Sequence, residues 1–212
     1  MEADFWHNKW QRNEIGFHNG DIHPLLIRYW PQLQLAEQSR VLVPMAGKSL
    51  DLCWLLDQEH PVTAVELSEL AVESFFTERG WPAQPQTDGQ HRRYQHQNLD
   101  FWVGDFFALR DHGEIHVDAV YDRAALIALP PTMRGDYVDT VSSLLKPGGR
   151  YLLISLEYEQ GQAGGPPFAI DAEEIQQLFG EKFTIECKGR HASDLRGTPC
   201  FETVYLMQRK GE

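Results

Sequence analysis

The sequence predicts an α/β protein with one open, seven-stranded, mostly parallel sheet, an antiparallel C-terminal edge and helices on both faces. Short apolar runs, typical of buried parallel strands, alternate with segments whose apolar residues have helical spacing. The last two strand-like runs are joined by a polar segment without a helix, and such a connection favours antiparallel pairing. At 212 residues the chain has the length of one such domain. We therefore expect a single domain over 1–212.

The first predicted unit lies between residues 40 and 68. Val41–Val43 is a short apolar strand, Leu50–Leu56 has helical spacing, and Val62–Val65 is a second strand that ends in Glu66. Gly47, in the turn after the first strand, lets a ligand approach the backbone closely. A carboxylate about 20 residues beyond such a turn is placed to accept hydrogen bonds from the hydroxyls of a ribose. The unit therefore predicts a site for an adenosine-containing ligand.

Other ligands fit this turn less well. Gly47-Lys48-Ser49 resembles the end of a P-loop, but the position of that motif's first glycine is occupied by Leu42, inside the strand. The turn has one glycine where a dinucleotide fingerprint needs three. ATP, GTP and NAD are therefore disfavoured, and the remaining alternative is a βαβ unit that binds nothing.

The following segments continue the alternation of strands and helices. Glu69–Arg79 is a helix, with Ser68 as its N-cap and Gly80 after its end, and we expect Leu70, Phe75 and Phe76 to face the core. The next segment, Pro82–Asn98, is a surface insertion that could form a hairpin around Tyr94 and Phe101. The remaining predicted elements are strands Leu99–Val103 and Val117–Asp122, helix Thr132–Leu145, strand Tyr151–Leu156, helix Ala172–Phe179, and strands Phe183–Cys187 and Phe201–Gln208. This is the order of the Rossmann-like class I methyltransferase fold, in which residues 40–212 would form the core and ligands would bind at the carboxyl ends of the strands.

Composition excludes several classes of partner. A formal net charge of −12 and a pI of about 5.1 make nucleic acid and anionic membranes unfavourable partners. We find neither a signal peptide nor an apolar run long enough to span a bilayer. The sequence also shows no heptads and no exposed apolar stripe, so a monomer is the expectation.

The cysteines and histidines give no metal or disulfide pattern. Cys53, Cys187 and Cys200 are an odd number without CxxC spacing, which predicts neither a disulfide framework nor a zinc site. We expect all three to pack in the core. The nine histidines show no ligand spacing, so no metal is expected, and a reducing cytoplasm fits the free thiols.

Three further segments are candidates for binding. Asp105 and Phe106 follow the third strand, where an adenine could lie. Trp6 and Trp10 are four residues apart and would share a helical face, so that with Phe17 they could close over the ligands. Residues 1–39 would then be a helical lid, although an N-terminal helix docked on the sheet explains the same pattern.

Two short motifs have equally simple structural explanations. Asp21 and His23 lie in GDIHP, where they could transfer protons or could form a polar turn before a proline-started helix. Gly164–Phe168 follows the fifth strand and could stiffen one wall of an acceptor pocket. A rigid loop is the more economical explanation of that segment.

Several segments, in order along nearly the whole chain, resemble the bacterial-type thiopurine S-methyltransferases. They are the pattern Trp6, Trp10, Phe17, His18, and the segments VLVPMAGKSLDLCWL, VELSELAVESFF, YDRAALIALPP, LKPGGRYLLISLEY and GGPPF. The resemblance implies S-adenosylmethionine as methyl donor, S-adenosylhomocysteine as product and an aromatic or heterocyclic thiol as acceptor. It also implies methylation of selenium and tellurium compounds in detoxification.

The resemblance also implies a set of donor-binding residues. By matching positions these are Trp10, Met45, Glu66 and Arg123. Met45 replaces the family's usual leucine, and Ala46 replaces its cysteine. If the turn contacts the donor mainly through its backbone, both differences are tolerable.

Methyl transfer to sulfur depends mainly on alignment and on the charge of the nucleophile. A nearby cation can favour the thiolate without a strong base. Arg123, just past the fourth strand, is the candidate for this role, and the alternative is a salt bridge to Asp122 or Asp118. Arg196 is a second candidate, with a solvated loop arginine as its alternative.

Other functions of the same fold remain open from sequence. An O- or N-methyltransferase would want a base such as Asp21 or His23. A non-catalytic protein that binds the donor or its demethylated product is another alternative. A nicotinamide-dependent enzyme is the most distant one.

Overall fold

The computed structural model describes residues 3–113, 115–159 and 165–211. Its helices are α1 (Ala3–Gln11), α2 (Pro24–Tyr29), α3 (Asp51–Asp57), α4 (Glu69–Glu78), α5 (Pro131–Leu144) and α6 (Ala172–Phe179), with 3₁₀ turns at Trp30–Leu33, Phe106–Asp111 and Leu126–Ala128. Its strands are β1 (Val41–Val43), β2 (Val62–Glu66), β3 (Gln86–Asp88), β4 (His91–His96), β5 (Leu99–Val103), β6 (Val117–Arg123), β7 (Leu145–Glu157), β8 (Phe183–Leu195) and β9 (Thr198–Arg209).

All these strands form one sheet in the order β3-β4-β5-β2-β1-β6-β7-β9-β8. The five central strands, from β5 to β7, are parallel, and β9 runs antiparallel between β7 and β8. The predicted parallel sheet with an antiparallel C-terminal edge is therefore confirmed.

The described residues contain nine strands, where the sequence predicts seven. The extra two come from the insertion over 82–98, which folds into the β3–β4 hairpin and pairs antiparallel with β5. β4 has one buried residue on each face, His91 on one and Tyr94 on the other, because residues three apart in a strand point to opposite faces. Its other residues are polar, which hides the strand from an argument based on apolar runs.

The C-terminal hairpin is longer than predicted. β8 and β9 pair from Phe183–Arg209 to Leu195–Thr198, with a shift in register between Cys187 and Gly189, and are joined at Arg196 and Gly197, both with positive φ (53° and 88°). The expected polar loop is thus the outer half of a hairpin. An edge strand exposes alternate residues to water, so its sequence can remain polar.

The core lies on both faces of the sheet. One hydrophobic cluster packs α2, α3 and α4 against the sheet, and the other packs α5 and α6 on the opposite face. Consecutive strand residues point to opposite faces, and accordingly Leu42 belongs to one cluster while its neighbours Val41 and Val43 belong to the other. The prediction of helices on both faces is confirmed.

Two expectations about the core are wrong. Leu70 is 45% exposed, whereas Phe75 is buried, because the stripe of α4 that meets the sheet does not include Leu70. Cys187 is exposed, while Cys53 is partly buried and Cys200 is buried. Cys187 lies on the edge strand β8, where only one partner strand covers it.

Among the described residues, no helix has the length and apolar character needed to cross a bilayer.

Candidate active site

The turn after β1 is tight and closed by an indole ring. Met45 and Gly47 both have left-handed φ angles, 48° and 55°, and the Ala46 N–H donates to the Val65 carbonyl at 2.9 Å. A Cβ on Gly47 would lie 3.2 Å from Cζ2 of Trp10. Trp10 of α1 therefore packs directly on the predicted donor turn, where a larger residue at position 47 would be crowded.

Glu66 braces this turn from the end of β2. Its carboxyl group is buried and accepts the Gly47 N–H at 2.9 Å and the Ser68 N–H at 2.8 Å, one on each oxygen. Burial raises the pKa of Glu66, and its backbone hydrogen bonds counteract this only in part. Each oxygen keeps a further acceptor position. The carboxyl group and the glycine turn thus fit the adjacent hydroxyls of a ribose.

The segment after β5 lies beside Glu66, because the Gly104 N–H donates to the Glu66 carbonyl at 3.0 Å. Gly104 has a φ of 148°, and a Cβ there would lie 2.5 Å from the His91 ring. Only glycine fits this position without a shift of its neighbours.

Asp105 and Phe106 differ in what they offer to an adenine. Asp105 is exposed, and its carboxylate caps the following 3₁₀ turn by accepting the Phe107 N–H at 3.0 Å. Phe106 is buried, with its ring 5.4 Å from that of Tyr137. The Phe106 side chain belongs to the core, so its backbone is the part that could meet a ligand.

Asp122 is the buried anchor of the segment that carries Arg123. Its carboxyl group is fully buried and accepts hydrogen bonds from the Tyr137 and Tyr151 hydroxyls, both at 2.7 Å, and from the Leu126 N–H at 3.2 Å. Burial raises the pKa of Asp122, and these hydrogen bonds lower it less. The Asp122 carboxyl group is therefore hydrogen-bonded within the core and does not pair with Arg123.

Arg123 lies at the carboxyl end of β6 and is partly exposed. The other alternative partner, Asp118, is held by Lys146 at 2.7 Å and by the Arg40 N–H at 2.9 Å. Within the described parts of the chain, no carboxylate lies within 4.0 Å of the Arg123 guanidinium. The salt bridges offered as alternatives are not formed, and the cation is available at the sheet edge.

The side chain of Arg123 shares a sheet face with Tyr121, since the two are separated by one residue. Its charge acts on Tyr121, His18 and Glu202. Burial, together with the facing cations of Lys48 and Arg123, lowers the pKa of His18. His18 is therefore held neutral beside the cationic site.

Aromatic rings from the N-terminal segment stand beside the turn. The Phe17 ring packs edge-on against Trp6 at 5.7 Å and against Trp10 at 5.5 Å between centroids. Arg196, exposed at the tip of the β8–β9 hairpin, lies 3.4 Å from the position that a Cβ on Gly16 would take. The hairpin tip thus places Arg196 next to the loop that carries Phe17.

A buried polar network that sequence reasoning missed supports this region. Asp51 accepts the His23 N–H at 2.7 Å and the Tyr121 hydroxyl at 2.9 Å. His23 caps α2, because its Nδ1 accepts the Leu25 N–H at 3.3 Å, and its Nε2 lies 3.1 Å from Glu202. With Nδ1 as acceptor, Nε2 carries the proton and donates to Glu202. The turn explanation of His23 is thus correct, but the same ring also holds a carboxylate.

A separate cavity of about 990 Å³ opens beyond the end of β7, with Arg134, Tyr158, Phe168, Arg190 and Phe201 among its lining residues. Glu202 lies on the face that α2 covers, where it contacts His23. The adjacent Phe201 points to the opposite face, so the cavity lies on the α5 side of the sheet. The Phe168 N–H donates to the Ile127 carbonyl at 2.7 Å, which ties this segment to the turn after Arg123. Gly164, the first residue of the predicted wall, lies outside the described residues.

The fold is that of known methyltransferases. Burkholderia thailandensis 1,6-didemethyltoxoflavin-N1-methyltransferase, solved with 1,6-didemethyltoxoflavin and S-adenosylhomocysteine bound, matches with a TM-score of 0.71 at 19% identity, over 99% of this chain and 87% of that one. The N-methyltransferase NodS from Bradyrhizobium japonicum, in complex with S-adenosylhomocysteine, matches with a TM-score of 0.66 at 13% identity, over 97% and 98% of the two chains.

Sequence comparison is more specific. The family model described as thiopurine S-methyltransferase matches residues 1–210. Thiopurine S-methyltransferases from Vibrio cholerae (strain M66-2) and Shewanella oneidensis are 49% and 40% identical, over 84% and 99% of this chain and 81% and 100% of theirs. The enzyme of Pseudomonas fluorescens (strain SBW25) is 48% identical over 88% of this chain and 85% of its own. The chain therefore belongs to the thiopurine S-methyltransferase family and is a methyltransferase that uses S-adenosylmethionine to methylate a thiol sulfur.

Proposed function

We propose that the acceptor is a flat aromatic or heterocyclic thiol, bound as its anion beside Arg123. The observation that carries this proposal is the Arg123 guanidinium, which has no carboxylate within 4.0 Å among the described residues. A cation next to the acceptor favours the thiolate over the thiol. Burial and the nearby cations of Lys48, Arg79 and Arg123 lower the pKa of His18, so His18 adds little positive charge of its own beside Arg123. Phe17 and Arg196 would complete the acceptor site.

The donor would lie at the carboxyl ends of the parallel strands. The residues that would hold it are Trp10, Met45, Gly47, Glu66, Asp105, Phe106 and Arg123. S-adenosylmethionine supplies an electrophilic methyl group on a sulfonium. The chain would hold the thiolate sulfur in line with this group and exclude water with the rings of Trp10 and Phe17.

Methyl transfer from labelled donor to thiophenol and to a thiopurine, each with purified protein, tests the proposal. We expect methylated sulfur in both products. Binding of S-adenosylhomocysteine without methylation of any thiol would instead identify a non-catalytic binding protein. A rate that depends on the Asp21 carboxylate as a base would point to oxygen or nitrogen as the acceptor atom.

The part of residues 1–39 that could act as a lid is α1 with the loop up to Gly20. α2 does not suit a mobile lid, because Leu26 and Tyr29 are buried against the sheet. α1 reaches the site chiefly through Trp10 on Gly47. We therefore expect α1 to dock and undock over the donor while α2 stays in place.

Replacement of Trp10 by alanine is expected to weaken binding of S-adenosylhomocysteine about tenfold, corresponding to about 1.4 kcal/mol. The indole covers the Gly47 turn, so its removal exposes the bound ligand to water. Calorimetric titration measures the affinity. Trp6→Ala, on the same helix but without the Gly47 contact, should lose no more than about threefold in affinity. Equal losses in both variants would show that the contact with Gly47 is unimportant.

Replacement of Glu66 by glutamine is expected to weaken donor-product binding by about 10- to 100-fold, because a hydrogen bond to a charged group contributes about 1.5–3 kcal/mol. The glutamine amide would also point an N–H group at the Gly47 or Ser68 N–H. The affinity for S-adenosylhomocysteine is again the measurement. Glu173→Gln, which removes an exposed carboxylate that accepts a hydrogen bond from Gln177 on α6, serves as the control. An unchanged affinity in Glu66→Gln would remove Glu66 from the site.

Three further properties stay predictions. A soft selenium or tellurium anion would be favoured by the same cation as a thiolate. The three free cysteines suit a reducing cytoplasm, and size-exclusion chromatography with light scattering would test the expected monomer.

A further inference from the structure

Arg123 and Glu202 project from the same face of the sheet. Ile154 of β7 pairs with Arg123 on one side and with Val204 on the other, and Glu202 precedes Val204 by two residues. Directly paired residues, and residues two apart on one strand, share a face. With β7 between them, β6 and β9 are about 10 Å apart. Long side chains at these positions therefore face each other across the width of a small heterocycle.

The two groups face each other without forming an ion pair. The charge of Arg123 lowers the pKa of Glu202, yet among the described residues the guanidinium has no carboxylate within 4.0 Å. A cation and an anion at this separation can both be used by one ligand that lies between them. Such a ligand would carry an electron-rich atom toward Arg123 and a hydrogen-bond donor toward Glu202.

Glu202 is held ionised with one oxygen still available. Burial alone would raise its pKa, but the hydrogen bond from His23 and the facing side chains of His23, Arg123 and His191 more than offset this, and its pKa lies below the usual value. These groups come from the N-cap of α2, from β6 and from β8. His23 binds Oε1 at 3.1 Å, and no other described residue donates a hydrogen bond to the carboxylate. The side chain is 22% exposed, so water or a ligand can reach it.

We propose that Glu202 accepts a hydrogen bond from a ring N–H adjacent to the thiocarbonyl carbon of the acceptor. The site would thereby prefer heterocyclic thiones to aryl thiols that lack such a group. The proposal rests on the proposed function, since it assumes that the acceptor sulfur faces Arg123. An aryl thiol binds there as the thiolate, whereas a thione binds as its neutral N–H tautomer, whose sulfur also carries partial negative charge. The same arrangement makes Glu202 a specificity-determining residue and His23 the residue that positions it.

One methyl group and one proton are transferred in this step. The thione sulfur forms a bond to the methyl carbon, and the bond from that carbon to the donor sulfonium breaks, with its electron pair left on the donor sulfur. The ring nitrogen loses its proton to Glu202, so that C=S becomes C–S and the adjacent C–N becomes C=N. Alkylation on sulfur makes the ring N–H a much stronger acid, so a carboxylate with a low pKa suffices as base. Because Glu202 is partly exposed, it can pass the proton to water.

The test compares pyridine-2-thione, which has the adjacent N–H, with thiophenol, which has none. In Glu202→Gln, we expect the ratio of kcat/KM for the thione to kcat/KM for thiophenol to fall about tenfold or more, since the hydrogen bond to a charged acceptor is lost. Glu186→Gln removes an exposed carboxylate from β8 of the same hairpin and should leave this ratio within about twofold. Binding of S-adenosylhomocysteine to each variant verifies that it is folded.

The outcomes separate this inference from the proposed function. A ratio that is unchanged in Glu202→Gln, with both acceptors slowed equally, would overturn the role of Glu202 while leaving thiol methylation intact. Methylation of neither acceptor by the unmodified protein would overturn the proposed acceptor class, and this inference with it. A selective loss with the thione supports the hydrogen bond.

Discussion

Replacement of Arg123 by alanine is expected to lower kcat/KM for thiol methylation by about 100- to 1000-fold, the range found when one preorganised charge-stabilising donor is removed from an active site. In the proposed site the guanidinium would favour the thiolate of the bound acceptor, and no carboxylate among the described residues lies within 4.0 Å of it. Lysine at this position would keep the charge but lose the planar fork. The kcat/KM of Arg123→Lys should therefore lie between that of the unmodified protein and that of Arg123→Ala.

The dependence of kcat on pH distinguishes this role from a purely structural one. In its proposed role Arg123 would lower the pKa of the bound thiol, so without it the thiol would ionise only at higher pH. The rise of kcat with pH should accordingly move to higher pH in Arg123→Ala. Arg110→Ala, which removes a surface arginine paired with Asp139, is the control and should change neither rate nor profile. A loss of equal size at every pH would argue against stabilisation of the thiolate.

The parts of the fold that sequence predicts well are those where burial dictates composition. β1 and β2 are buried throughout, so their apolar runs are unambiguous, and the turn between β1 and α3 is marked by Gly47. The long hairpin of β8 and β9 was predicted as two short strands, because exposed positions on an edge strand carry no apolar requirement. Cys187, which the sequence predicts in the core, is exposed for the same reason.

The candidate site was predictable where a residue stands next to a motif and unpredictable where its partners are distant. Arg123 could be selected from the motif YDRAAL. That Arg123 forms no salt bridge with Asp122 depends on Tyr137 and Tyr151, 15 and 29 residues beyond Asp122, whose hydroxyls donate to its carboxyl group. Glu202 lies 179 residues from His23, and no local pattern connects them. Their proximity follows from β9 inserting between β7 and β8, which places Glu202 on the face that α2 covers.

Replacement of Asp122 by alanine is expected to lower the free energy of unfolding by about 3–5 kcal/mol at neutral pH, as when one partner of a buried charged network is removed. The Tyr137 and Tyr151 hydroxyls and the Leu126 N–H would lose their acceptor, and each unsatisfied buried donor costs about 1–3 kcal/mol. The turn at Ala124, which has a φ of 67°, would loosen with it. We therefore also expect a lower rate, because this turn fixes Arg123.

The pH dependence of stability tests whether the Asp122 carboxyl group is responsible. Its pKa is raised in the folded protein, chiefly by burial, so its contribution to stability is complete below the ordinary aspartate value of about 4 and declines as pH rises through the raised value. The difference in the free energy of unfolding between the unmodified protein and Asp122→Ala should therefore be larger near pH values of about 4 than at neutral pH. Urea unfolding at several pH values measures it. Asp118→Ala, on the same strand but paired with Lys146 at the surface, should cost about 1 kcal/mol or less. If the two variants lose equal stability, the buried tyrosine hydrogen bonds are not what holds Arg123 at the sheet edge.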